Sequence, residues 1–589
     1  MSGTKMAKRH FNRRLIATTA ATALIAAVAL VGTTMSASAA TSKTGGTLYF
    51  ITNQQQFDNV DPTRVYTGRD LAFFGAYLYR NLTSYKPAPG NAGQTIVPDL
   101  ATNTGVPSNN AKVWKFTLRP GVSWEDGSPV TCADVKYGAS RSFAADVITN
   151  GPQYLVEALN IPLDKDGSSM YKGPYKKTGQ ALYDKAVTCS GNTVTFRFKH
   201  SFADFNYATT YGFVSPVKKS KDTGDKYDLH PFSDGPYKIK TYKIGDEMHL
   251  IRNAKWSQKS DPIRTPYPDD IVVRFGIDEN VRDQIMLDDS IPNTVNLDGM
   301  QPANLRTFFA DPKRAKQRFN VFDVFVRYIA ANVSPGHLDC LNVRKAIFFA
   351  WDTQSLIDLS GGSAFYGVPG DSPVKPVLAL DYAPTTGNIH DPAWKVTGNP
   401  VKAKEYLAAA KTSCPAAYDR ATNPSKGIVY DVPKTATMQT ASVLIQAAMD
   451  AAGINIKFNF IPSGQYYSTI GDTTKQNDMS RAGWGQDWAN ASTVIPPLFS
   501  FPSSNNYTQN YKDPAYPAFK AKVDIALATT DRAKQAKMWK ELSQYAMDQY
   551  WIIGPIFQKG QDEWGSKVGG VFFWVPQGTF SFPTLYVKA

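Results

Sequence analysis

The sequence predicts an α/β fold, and three observations carry that reading. The stretch ASVLIQAAMDAAGINIKFNF reads as a helix stopped at Gly453 and followed at once by a strand with Ile454, Ile456, Phe458 and Phe460 on one face. Half-buried strands and capped helices are mixed along the rest of the chain without an internal repeat. With 589 residues, 42% of them hydrophobic and 12% aromatic, the chain is long enough for two or three domains with real cores.

The first 39 residues read as an address rather than as fold. Lys5, Lys8, Arg9, Arg13 and Arg14 precede the Ala-rich apolar run LIATTAATALIAAVALVG, and TTMSASAA follows with Ala37 and Ala39 in small-x-small spacing. A signal peptide cleaved near Ala39 is expected. The paired arginines before the apolar run keep twin-arginine export open beside the general route. No cysteine stands near the cleavage point, so a lipobox anchor is not expected. The leader supplies +5 of the net +14 and leaves +9 on the remaining 550 residues. That diluted charge, with basic clusters such as VKKSKDTGDK interrupted by acids, gives no nucleic-acid footprint.

Further along, KVWKFTLRPGVSW alternates with Trp114, Phe116 and Leu118 on one face and turns at Gly121. In EDGSPVTCADVKYG, Thr131 and Asp134 stand in capping-box spacing ahead of a helix, and NTVTFRF is a strand through Val194, Phe196 and Phe198. NVRKAIFFAWD puts Val343, Ala346, Ile347, Ala350 and Trp351 on one helical stripe, ended after one more short stretch by Gly361 and Gly362. Four cysteines in an exported chain suggest two disulfides. Three pairings are open; Cys132 with Cys189 and Cys340 with Cys414 keeps each bridge within one half, each worth about 4 kcal/mol in the loop-entropy account.

One stretch asks a question of its own. RAGWGQDWANAST sets Asp487 between Trp484 and Trp488, with Arg481 upstream. A core rejects the acid, and a solvated loop seldom carries two tryptophans; a ligand pocket uses both, the rings for contact area and the carboxylate for a cation. The competing reading is a core strand ending in a loop whose Asp caps a helix. Catalytic patterns are missing: there is no G-x-S-x-G elbow, no H-E-x-x-H helix and no phosphate loop, and the six histidines are scattered. Asp487 could be half of a glycosidase acid pair, but nothing fixes a second member. No enzyme activity and no cofactor or metal are expected.

GGTLYF, DPTR, LYRNLTS, VPDLAT, WKFTLRPGVSWEDGSPVTCADVKYG, FSDGPYKIK, HLIRNAKW, NVRKAIFFAWD, VKAKEYLAAA, AGINIKFNF and RAGWGQDW follow one another in that order. Taken together they resemble the family 5 extracellular solute-binding proteins of bacterial ABC importers, the oligopeptide, dipeptide and nickel binders. The resemblance implies a two-lobed periplasmic-binding-protein-like fold of class II with an extra subdomain, hinged on crossing strands, with the ligand cleft between the lobes. It implies lobe I from residues 40–83, 214–325 and 560–589, the added subdomain from 84–213, and lobe II from 326–559. It further implies that Asp487, the acid of the G-W-x-x-D motif, accepts a peptide's α-ammonium. Trp484 would line a side-chain pocket, Arg481 would reach a carboxylate, and Tyr79 and Asn81 would stand near the ligand. Implied partners are a short peptide or other small polar ligand and the membrane permease subunits, with the protein a monomer. Two departures stand out: Arg80 and Asn81 replace the acid or small residue of many relatives, and Gly464 stands where peptide binders often carry tryptophan. They leave an oligosaccharide-binding member of the same family as an alternative, and the expected lack of a lipid anchor keeps a secreted signalling or inhibitor protein reusing the fold as another.

Overall fold

Trp114 and Phe116, two residues apart and both almost without solvent contact, show how the strands are built: alternate side chains enter the core. The computed structural model describes residues 43–149, 151–165, 168–462, 465–500, 503 and 505–589. The expected leader and Gly464 lie outside the described residues.

The larger sheets draw on different parts of the chain. A five-stranded sheet runs in the order Thr294–Asn296, Thr47–Ile51, Asp270–Arg274, Glu247–Arg252 and Tyr237–Tyr242, its first three strands parallel. A four-stranded antiparallel sheet joins Val106–Ser108, Val113–Thr117, Thr193–Arg197 and Val187–Ser190. The helix Cys132–Arg141 belongs to this region. Its entry is a full capping box: the Thr131 side chain accepts from the Asp134 N–H while the Asp134 carboxylate accepts from the Thr131 N–H at 2.8 Å. Cys132, the first residue of that helix, is bonded to Cys189 of the strand Val187–Ser190.

The third sheet holds six strands, in the order Gly367–Pro369, Ile552–Glu563, Arg318–Ala331, Met479–Gly485, Ile428–Pro433 and Ile456–Ile461. Its last two strands are parallel and joined by the helix Ala436–Ala452, the crossover that a parallel pair needs. Thr435 caps that helix, and Gly453 ends it at φ 77°, where glycine carries no Cβ penalty. The stripe of NVRKAIFFAWD forms the helix Leu341–Ala350; Asp352 then caps a second, Thr353–Leu359, before Gly361 and Gly362. Cys340 and Cys414, at the starts of two helices, are bonded to each other.

The longest strands, Arg318–Ala331 and Ile552–Glu563, pair antiparallel from Arg318 opposite Glu563 to Ala330 opposite Ile552. The ladder is interrupted between Arg327 and Ile329 and, more widely, between Phe322 and Val326, where Asp323, Val324 and Phe325 face Gln558 alone. The Lys375 ammonium fills the gap, donating to Asp323 Oδ1 at 2.6 Å, to the Phe325 carbonyl at 2.8 Å and to the Gln558 carbonyl. Elsewhere the interior holds a compensated ion cluster, in which Asp99 accepts from Arg80 Nε at 2.9 Å and Arg264 Nη2 at 2.7 Å with all three side chains buried.

Candidate ligand-binding site

The strand Met479–Gly485 lies between Arg318–Ala331 and Ile428–Pro433, and the loop that leaves it carries the acid. Past Gly485 the chain folds back on itself: the Asp487 N–H donates to Thr493 Oγ1 at 3.1 Å, and the Trp484 indole N–H donates to the Thr493 carbonyl at 2.6 Å. Asn490, not Asp487, caps the short turn Ala491–Thr493. The carboxylate is therefore released from capping.

The tryptophans on either side of the acid have separate tasks. Trp488 is buried; its indole N–H donates to Asp204 Oδ2 at 2.7 Å, and its ring lies 4.8 Å from that of Tyr154. Trp484 is half-buried and lines a cavity of about 440 Å³ together with Tyr66, Tyr211, Phe325, Asp487 and Tyr507. The acid thus stands between a ring that anchors the loop and one that faces open space.

Asp487 Oδ2 accepts from the Tyr154 hydroxyl and, at 3.2 Å, from the Tyr66 hydroxyl, while the Asp487 carbonyl accepts from Tyr211. Among the described residues no lysine, arginine or histidine forms an ion pair with this carboxylate. Burial raises its pKa from the ordinary 3.8 to about 6, and the two phenol hydroxyls pull the other way. A carboxylate held in low dielectric with only neutral donors gains by taking a cation.

Arg481 lines a second cavity, of about 280 Å³, with Arg327, Met438, Tyr466 and Tyr467; Tyr467 borders both cavities. Its Nη2 donates to the Tyr366 hydroxyl at 3.2 Å. Tyr79 and Asn81 do not line either cavity. Tyr79 is buried and stacked on Phe74 with ring centroids 6.2 Å apart. Asn81 is also buried, donating to the Thr210 carbonyl and accepting from Ser215 Oγ. The physical reason lies between them: Arg80 enters the ion cluster with Asp99, so LYRNLTS commits its middle to the interior. The residues that sequence reasoning missed are Tyr66, Tyr154 and Tyr211. They stand 421, 333 and 276 positions from Asp487, and no local pattern marks them.

The model for bacterial extracellular solute-binding proteins, family 5 Middle, matches residues 95–506. The chain belongs to that family. Among its relatives is the dipeptide-binding protein of Escherichia coli (strain K12), 24% identical over 483 residues and covering 80% of this chain and 82% of the relative. The periplasmic oligopeptide-binding protein of Salmonella typhimurium is 25% identical over 540 residues, covering 86% of each chain. Among solved structures, the clavulanic acid biosynthesis oligopeptide binding protein 2 superposes with a TM-score of 0.82 at 26% identity, over 93% of this chain and 97% of that one. The two-lobed α/β fold of family 5 binding proteins is thus the fold of this chain.

Proposed function

We propose that this family 5 protein captures a short peptide with a free amino terminus between two closing lobes and delivers it to the permease of an ABC importer, without transforming it. The observation that carries the reading is Asp487: a carboxylate at a cavity wall, raised in pKa by burial, with neutral donors only. An α-ammonium is the partner such a group lacks. Arg481 supplies the opposite pole six positions earlier, a separation of at most about 20 Å along an extended chain. An extended peptide covers about 3.3–3.6 Å per residue, so both poles can be met by a ligand of no more than about six residues. The relatives named for dipeptides and oligopeptides support the same ligand class. Binding without turnover is favoured by the cavity wall, in which Asp487 is the one carboxylate among the described lining residues, with no histidine, cysteine or lysine beside it.

We divide the chain at the bounds read from the sequence. The five-stranded sheet, built from 47–51 and 237–296, supports lobe I; the four-stranded sheet within 106–197 supports the added subdomain; the six-stranded sheet within 318–563 supports lobe II. On this division Tyr66 and Tyr154 reach Asp487 across the cleft. Export with removal of the leader near Ala39, and a monomer in solution, complete the reading. To test it, the mature protein is incubated with a library of peptides and oligosaccharides and analysed by mass spectrometry. Retention of short free-amine peptides, unchanged, is the expected result. Product formation in proportion to protein overturns it, and retention of sugars alone moves the function to the oligosaccharide alternative.

A further inference from the structure

Arg481 is not alone in its cavity. In the antiparallel pair Arg318–Ala331 with Met479–Gly485, Arg327 stands opposite Gly483 and Ile329 opposite Arg481, so the arginines are diagonal neighbours on one face of the sheet. Gly483 is what makes room: a Cβ there would collide with the Arg327 guanidinium, which lies across the bare glycine. Both arginines line the cavity of about 280 Å³ and the smaller one that adjoins it towards Trp351 and Tyr366.

Ion pairing then separates these arginines from the buried ones. Arg141 is paired with Asp61 at 2.6 Å, Arg264 with Asp99 at 2.7 Å and Arg532 with Asp381 at 2.6 Å. Arg327 and Arg481 form no such pair with any carboxylate among the described residues. Arg327 spends Nε on the neutral Gln558 side chain at 2.6 Å and rests over the Phe325 ring at 5.2 Å. Arg481 meets a phenol and the Met438 sulfur. A guanidinium has five N–H donors, and neutral acceptors meet only part of that demand. The nearby acid Asp323 is taken by Lys375 at 2.6 Å, and the remaining polar wall is tyrosine, threonine and serine. This end of the cleft therefore carries two half-buried guanidinium groups with no ion-pair partner among the described residues, behind aromatic walls. A single carboxylate forms one bidentate pair and leaves the other cation exposed to its neighbour's repulsion.

We propose that the Arg327–Arg481 cavity takes a doubly anionic ligand end, with Arg327 as the residue that sets this preference. The inference rests on the peptide reading and narrows it to peptides with an acidic last residue, whose side-chain and terminal carboxylates together match the two guanidinium groups.

The test compares Ala-Ala-Glu with Ala-Ala-Gln, equal in shape and differing in one charge, by calorimetry on the wild type, Arg327→Gln and Arg327→Lys. A ratio of at least tenfold in favour of Ala-Ala-Glu is expected in the wild type, falling to about one in Arg327→Gln and to an intermediate value in Arg327→Lys, which keeps the charge without the fork. Circular dichroism checks that each variant is folded; if Arg327→Gln is not, Arg327→Lys carries the comparison. Equal affinities for the two peptides in the wild type, or a ratio that neither variant changes, overturn the proposal. A thermal-shift arm uses the dianion glutarate alone. If no peptide binds but glutarate stabilises the wild type and not the variants, the dianion cavity stands and the peptide reading falls; if glutarate is also without effect, both fall.

Discussion

Replacing Asp487 by asparagine should make the empty protein more stable and a poorer binder. Its folded pKa of about 6 lies above the ordinary 3.8, so the folded chain holds this proton more tightly than the unfolded one does. The group's contribution to stability is therefore full below about pH 4 and is lost as the pH rises to about 6. At 1.36 kcal/mol per pH unit, the ionised form costs the empty protein at most about 3 kcal/mol at pH 7.5. Asparagine keeps the shape, accepts from the same tyrosines and removes that cost, so a gain of up to about 3 kcal/mol is expected at pH 7.5 and none at pH 4. With a free-amine peptide bound the sign reverses, because the ammonium loses its partner, at a cost of about 2–5 kcal/mol in affinity. Wild-type affinity should also fall about tenfold between pH 7 and pH 5, as Asp487 takes up a proton, while the variant's stays flat. Urea unfolding across this pH range measures the first effect; calorimetry with free and N-acetylated peptides measures the second. A variant no more stable than the wild type at pH 7.5, or free and acetylated peptides bound alike by both proteins, would refute the reasoning.

The remaining expectations concern the frame that holds the site. Cys132→Ser and Cys340→Ser each open a loop, closed across separations of 57 and 74 residues, and should each cost about 4 kcal/mol, a difference that vanishes when wild type and variants are unfolded under reductant. Asp99→Asn leaves Arg80 and Arg264 short of their shared carboxylate and should cost about 3–5 kcal/mol in urea unfolding; a loss below about 1 kcal/mol would mean that Asp261 alone holds both. Glu563 is fully buried, and burial and the adjacent Asp562 push its pKa up to about 8, so its contribution to stability is lost as the pH climbs from about 5 to about 8. Glu563→Gln should flatten that decline in a pH series of unfolding curves, and an unchanged slope would count against it.

Local signals in the sequence were legible wherever the cause was local. The capping box at Thr131 and Asp134, the stop at Gly453 and the buried alternation of Trp114 and Phe116 each depend on residues within a few positions, and each was read correctly. The order of motifs gave the family and with it the two lobes. The site was legible on one side only. Asp487 and Trp484 announce themselves as an acid among aromatics, but the three tyrosines bonded to the Asp487 residue arrive by tertiary folding from residues 66, 154 and 211. Arg327 was hidden for a related reason: its significance depends on strand register, which sets it opposite the bare backbone of Gly483. Tyr79 and Asn81 show the converse, since a motif position does not say which way the chain turns its side chains once Arg80 has found an interior partner.

The break in the ladder between Phe322 and Val326 has a consequence for how such a protein can diversify. A bulged strand bends at the bulge, and Val324 and Phe325, inside the break, also line the cavity beside Asp487. The bend and the fit thus share Val324 and Phe325, and Lys375 fastens this segment through Asp323 and the Phe325 carbonyl. A lineage that changes its cargo by substituting here alters the bend at the same stroke, and Arg327, which rests over Phe325, donates to Gln558 and borders a second register shift before Ile329, is tied to that bend, whereas Arg481 stands in the unbroken ladder of Met479–Gly485 with Arg318–Ala331. New specificities should therefore arise first at Arg481, with the bend inherited almost unchanged.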